Sequence, residues 1–286
     1  MREIMLEAHA KINLGLDITG IREDGYHLVD MVMQSVTLSD RIIIKRNDSS
    51  EISLSSNVDY IPLNEHNLAY KAAKLMQDEF PGAGGVDIHI EKNIPVAAGL
   101  AGGSTDAASV MTGINELYGL GIAREKLMEK AVRLGADVPY CIFKKTARAE
   151  GIGEVITKLS DLPECCILIS KPSCSVSTRE TYERYDALRE VSHPDIDGMI
   201  RFINSGDLAG MAAKMGNVLE YVTEPIHPVI GDIKRVMREN GAIASMMSGS
   251  GPSVFGIFDD EEKLGIAKTR IEDLGLCAEN HACRPV

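Results

Sequence analysis

Pro95-Val96-Ala97-Ala98-Gly99-Leu100-Ala101-Gly102-Gly103-Ser104-Thr105-Asp106 decides how this chain is read, because a glycine-rich loop there runs straight into a helical pattern. From Ser104 onward Ala107, Val110, Met111, Ile114 and Leu117 recur at helical spacing, and Gly119 is a stop signal. Glycines let a backbone approach a ligand closely and turn its N–H groups inward, while a helix start adds free donors and a positive dipole end. The segment is therefore a candidate phosphate cradle. No Gly-Lys-Ser/Thr closes it, so it is not a Walker loop, and its glycine spacing is not that of a dinucleotide fingerprint. The alternative is a structural loop in which Ser104 caps the helix and Asp106 favours its dipole.

Outward from the loop, Ile12, Leu14, Leu16 and Ile18 alternate with Lys11, Asn13, Gly15 and Asp17, a strand with one buried face that shows Lys11 and Asn13 together on the other. Lys11 on such a face reads, by residue type, as a solvated lysine. Asp24-Gly25 is a turn signal, residues 41–46 and 86–91 are strand candidates, and residues 67–80 form an amphipathic helix. A further helix is expected over 124–134. Asp137 follows its stop at Gly135, and Pro139 biases Val138 towards an extended conformation. A composition shift at Asp161-Leu162-Pro163 places a division between an N-terminal domain, 1–160, and a C-terminal domain, 161–286. The second half alternates helices (178–185, 195–203, 207–221, 228–240) with strands (165–169, 242–247, 253–258). Ser248-Gly249-Ser250-Gly251-Pro252 lies between two of those strands, either as a tight turn or as a second anion nest.

Composition narrows the class. A chain of 286 residues, 44% hydrophobic and 25% charged, is long enough for about two folded domains. Its net charge of −12 argues against a surface that grips nucleic-acid phosphates, so an anionic substrate must be met by a local cluster. No run reaches the roughly 18 apolar residues of a membrane span, and the opening residues lack a signal-peptide core, so a cytoplasmic protein is expected. Six cysteines without C-x-x-C read as reduced thiols, and seven histidines without H-E-x-x-H suggest no zinc site.

Gly99 to Ala108 and Ser248 to Pro252 resemble, in this order, the ATP-binding and C-terminal glycine motifs of the GHMP kinases, a superfamily named for galactokinase, homoserine kinase, mevalonate kinase and phosphomevalonate kinase. Lys11 to Leu16 with Gly20 to His27, Gly135 to Pro139 and Ala149 to Glu154 are similar to the branch acting on a cytidine-diphosphate-linked methylerythritol. The resemblance implies an α+β, two-lobed GHMP kinase fold with the active site in the interdomain cleft. It implies an enzyme that uses ATP and Mg2+ to phosphorylate the 2-hydroxyl of that small molecule, for isoprenoid synthesis, with no nucleic acid, membrane or obligatory protein partner. Pro95, Val96, Ala97, Ala98, Gly99, Leu100, Ala101, Gly102, Gly103, Ser104 and Thr105 would bind ATP. Asp137 becomes the catalytic base and Lys11 its charged neighbour. Tyr26 and Tyr182 would flank cytosine, His27 would hydrogen-bond its edge, and Asn13 would join the substrate set. Magnesium ligands stay unassigned, with the Ser104 hydroxyl as a candidate. Ala101 and Thr105 depart from the usual motif, which has Gly and Ser there. Two rivals remain: another kinase of the superfamily, which would need no aromatic clamp, and a non-catalytic ligand-binding relative, which would tolerate loss of Asp137 or Lys11.

Overall fold

The computed structural model describes residues 2–286, which form two compact units interleaved along the chain. One unit takes the chain up to Ala10, Ser39–Val96 and Ala101–Lys144; the other takes Lys11–Leu38, Ala97–Leu100 and Lys145–Val286. Strands β1 (Glu3–Ile21) and β2 (His27–Arg46) contribute residues to both.

In the first unit the far end of β2, Arg41 to Arg46, pairs antiparallel with β4 (Val86–Glu91), and β4 pairs in parallel with β3 (Ile52–Ser56). Helices α1 (Leu68–Glu79), α2 (Gly102–Tyr118), α3 (Arg124–Ala131) and α4 (Val138–Phe143) complete the unit. Asn67 starts α1 by accepting the Ala69 N–H at 2.9 Å, and Ala69, Ala72, Ala73, Leu75 and Met76 form the buried stripe of a helix that packs on α2.

In the second unit β5 (Thr146–Gly151) pairs antiparallel with β2 and with β6 (Val155–Lys158). A separate antiparallel sheet has the order β11-β7-β10-β9, from β7 (Cys166–Lys171), β9 (Ala244–Met247), β10 (Val254–Phe258) and β11 (Glu279–Cys283). A short β8 (Gly216–Asn217) runs parallel to β1. The helices are α5 (Thr178–Tyr185), α6 (Ile196–Ser205), α7 (Leu208–Ala212), α8 (Glu220–Ile226), α9 (Val229–Glu239) and α10 (Glu261–Asp273). The α+β class is borne out, and all six cysteines are free thiols. No helix among the described residues is long and apolar enough to cross a membrane.

In secondary structure, three departures from the sequence reading stand out. The helix expected over 207–221 is α7, β8 and α8, because Gly216 and Asn217 extend to pair with Gly15 and Leu16, and Val218 N–H donates to the Leu16 carbonyl at 3.1 Å. Val138 is helical, the first residue of α4, with Pro139 in the first turn where its missing N–H costs no hydrogen bond. The start of β2 escaped notice because residues 31–36 are buried on both faces and show no alternation.

Candidate functional site

Helix α2 begins with Ala101 in the left-handed conformation (φ 58°) as its N-cap, without a side-chain capping bond and without an acidic residue in the first turn. Thr105 N–H donates to the Ala101 carbonyl at 2.9 Å, so the N–H groups of Gly102, Gly103 and Ser104 precede the first helical bond of α2. Three such donors at a positive helix end fit a polyphosphate. Ser104 is thus not the cap. Gly103 is exposed, and a Cβ there would lie 3.7 Å from Leu68 Cδ1, an ordinary contact. At Gly102 it would press on Ile94 Cγ2 at 3.2 Å and Lys92 Nζ at 3.3 Å. Gly103→Val is therefore the clean test of the cradle. It should weaken ATP binding on the order of 10-fold, the worth of one charge-assisted hydrogen bond, with an unchanged circular dichroism spectrum. Unchanged ATP affinity by titration calorimetry would remove the loop from nucleotide binding.

Beneath this helix start lies a buried ionic cluster that the sequence did not disclose. Lys92 Nζ bonds Asp40 Oδ2 and, at 2.9 Å, Asp106 Oδ2, while Asp40 Oδ1 accepts the N–H groups of Asn93 (2.6 Å) and Ile94 (2.8 Å). Asp106 is therefore not a helix-dipole residue but a core anchor tying α2 to the strand end that leads into the loop. Burial pushes the Asp106 carboxyl up to about 8, against the pull of Lys92 and with the repulsion of Asp40, and its Oδ1 has no partner. One ammonium is thus shared by two buried carboxylates, of which Asp40 also accepts two backbone N–H groups.

In the second unit Lys11 is only 4% exposed, contrary to its reading as a solvated lysine. Its ammonium donates to Asn13 Oδ1 at 2.7 Å, the amide of Asn13 reaches Met31 Sδ at 3.2 Å, and Lys11 N–H donates to the Leu100 carbonyl at 3.1 Å. The turn between β9 and β10 packs on the same stretch: Ser248 Oγ donates to the Gly99 carbonyl at 3.0 Å. Gly99 has φ 75° and any Cβ there would collide with the Ser248 carbonyl, so only glycine allows this approach. Asn217 donates to the Met247 carbonyl at 2.9 Å and the Gly249 carbonyl at 2.8 Å, and Thr223 donates to the Ser250 carbonyl at 3.2 Å. These two supports carry no sequence signal, since each reaches its carbonyl from a distant element.

The hairpin between β1 and β2 holds Tyr26 out from the sheet. Asp24 accepts the Tyr26 N–H (3.3 Å) and pairs with Arg22, whose guanidinium lies 5.4 Å from the Tyr26 ring centroid. Tyr26 is 58% exposed, so its ring is not buried against the sheet. His27, the first residue of β2, meets Tyr182 of α5 with ring centroids 4.8 Å apart and tilted by 48°. In the first unit Asp137 occupies the N-cap position of α4, but its side chain makes no capping bond. Residues of the predicted set thus appear as local groups: Lys11, Asn13 and Leu100; His27 and Tyr182; Gly102, Gly103 and Ser104. Pro95, Val96, Ala97 and Ala98 fill out the loop, and Thr105 lies in the first turn of α2, where its Oγ1 is buried without a partner. No group of three or more His, Cys, Asp or Glu side chains able to hold a metal exists among the described residues.

The chain matches the GHMP kinases N terminal domain over residues 67–145 and the GHMP kinases C terminal family over residues 199–275, and it belongs to the GHMP kinases. It is similar to 4-diphosphocytidyl-2-C-methyl-D-erythritol kinase of Lachnospira eligens, 53% identical over 264 residues and 92% of each chain. The enzyme of that name from Alkaliphilus metalliredigens is 46% identical over 276 residues, 96% of this chain and 94% of its own. A crystal structure of 4-(cytidine 5'-diphospho)-2C-methyl-D-erythritol kinase superposes with a TM-score of 0.82 at 30% identity, covering 99% of both chains.

Proposed function

We propose that this protein is an ATP-dependent kinase of the cytoplasm that phosphorylates the 2-hydroxyl of 4-diphosphocytidyl-2-C-methyl-D-erythritol in the non-mevalonate route to isoprenoid precursors. The observation that carries the reading is the pairing of His27 with Tyr182 next to an exposed Tyr26, a set suited to reading a base, for which a kinase of simple alcohols has no use. Its relatives of the same name support it. The chain would divide at residue 160 into an N-terminal ATP-binding domain and a C-terminal domain.

Each residue then has a physical task. The N–H groups of Gly102, Gly103 and Ser104 would hold phosphate oxygens, and the Ser104 hydroxyl would be a candidate ligand for magnesium, which would offset phosphate charge. The carboxylate of Asp137 takes the proton from the 2-hydroxyl as that oxygen attacks the γ-phosphorus and the bond to the departing diphosphate breaks. Lys11, kept in place by Asn13, balances charge on the transferring group. Tyr26 and Tyr182 stack on cytosine and His27 bonds its edge.

Stacking a base on an aromatic ring is worth roughly 1–3 kcal/mol, so Tyr26→Ala or Tyr182→Ala should raise KM for the cytidine substrate about 5- to 150-fold and leave KM for ATP alone. Because Tyr182 also holds the His27 ring, its effect and that of His27→Ala should be less than additive. The function itself is tested by following ADP release from magnesium-ATP with the cytidine substrate, its uridine analogue, homoserine and mevalonate. Turnover confined to the cytidine form is expected. Turnover of homoserine or mevalonate, or equal use of the uridine form, would sink the reading.

A further inference from the structure

The Nε2 side of His27 hydrogen-bonds Asp186 Oδ1 at 2.7 Å, and Asp186 stands four residues after Tyr182, on the same face of α5 as its C-cap. One helical turn thus presents both a ring and a carboxylate to the same imidazole. Among the described residues His27 Nδ1 has no partner, although the ring is largely buried.

From this geometry we infer that Asp186 is a specificity-determining residue, which fixes the tautomer of His27 and thereby selects an amino-bearing pyrimidine. The inference rests on the cytidine reading given above. An ionised carboxylate can only accept hydrogen bonds, so the neutral imidazole facing it must carry its proton on Nε2, and Nδ1 is left with a lone pair. A lone pair matches the exocyclic amino group of cytosine, a donor, at ring position 4. Uracil places a carbonyl oxygen there, so two acceptors would face each other. To donate to that oxygen His27 would need its proton on Nδ1, which would turn a bare Nε2 lone pair onto the Asp186 carboxylate. The carboxylate makes the tautomer that suits uracil the costly one, so discrimination comes from an unpaired polar group on the wrong ligand. Asp186 touches no substrate in this arrangement; it acts through His27. The sequence reading missed it, since nothing local distinguishes this aspartate from a helix-terminal surface residue.

The test compares kcat/KM for the cytidine and uridine forms in the unmutated enzyme, Asp186→Ala and Asp186→Asn, together with the ring 15N signals of His27 in the ligand-free protein, assigned with His27→Gln. The unmutated protein should show His27 protonated at Nε2 alone. Asp186→Ala should lose on the order of 10- to 100-fold of the preference for the cytidine form, the worth of a hydrogen bond to a charged group, while the KM for ATP and the thermal midpoint stay put. Asp186→Asn, whose amide oxygen can still accept from Nε2, should retain most of the preference. An Nδ1-protonated or doubly protonated ring in the free protein overturns the inference regardless of substrate. Undiminished preference in Asp186→Ala overturns it while leaving cytidine recognition standing, whereas no preference in the unmutated enzyme removes both.

Discussion

Asp137→Asn is expected to lower kcat by roughly 10²- to 10⁴-fold, the usual contribution of a positioned acid or base, with almost no change in ATP affinity. The carboxylate sits at the N-cap of α4 but is not spent on capping it, so the amide should leave the helix start intact. Asparagine keeps the shape and one acceptor and loses the capacity to take a proton. Phosphoryl transfer through a loose transition state demands little deprotonation of the nucleophile, which places the expected loss towards the lower end of the range if positioning dominates. Single-turnover kinetics with saturating substrate decide the matter. Turnover within a few-fold of the unmutated enzyme, with chemistry rate-limiting, would remove Asp137 from proton transfer.

Lys92→Met should cost about 3–5 kcal/mol of stability, because it leaves two carboxylates in the core without their shared cation. Burial alone would disfavour the Lys92 ammonium, but the charges of Asp106 and Asp40 outweigh it and hold its pKa above the ordinary lysine value. Asp106 behaves in the opposite sense to a surface carboxylate. Its pKa is raised to about 8 in the folded state from about 3.9 in the unfolded chain, so its contribution to stability is fully present below about pH 4 and is lost as pH rises through about 8. Urea unfolding between pH 5 and 9 reads this directly. Asp106→Asn, which carries no charge at any pH, should flatten the fall in stability across that window. If the slope is unchanged in Asp106→Asn, the cluster does not titrate as described; if Lys92→Met is as stable as the unmutated protein, the carboxylates are neutralised by other groups.

Much of the architecture could be read in the chain. The strand through Ile12, Leu14, Leu16 and Ile18, the α1 stripe, the turn at Asp24-Gly25 and the span of α5 follow from periods and turn chemistry that act within a few residues. The start of β2 could not be read, because burial of both faces removes the alternation that marks a strand. Helical spacing across 207–221 misled for the complementary reason: Gly216 and Asn217 gain more by pairing with β1 than by continuing a helix.

The candidate site divides in the same way. Local composition sufficed to locate the loop Pro95 to Thr105 and the turn Ser248 to Pro252, since glycine content and a following helix are properties of neighbouring residues. The partners that hold those segments lie far away in sequence. Asn217 supports the C-terminal turn, and Asp40 anchors Lys92 and the strand end behind the loop.

By itself the sequence pointed, through its resemblance to the GHMP kinases, to an α+β fold of that type, and it located a glycine-rich loop running into α2, because glycine content and the period of apolar residues are local properties. Only the tertiary structure decided that Lys11 is buried against Asn13, that Asp106 shares Lys92 with Asp40, and that Asp186 meets His27. Each of those depends on strand register and helix packing, which bring residues together irrespective of their separation along the chain and which no local pattern encodes.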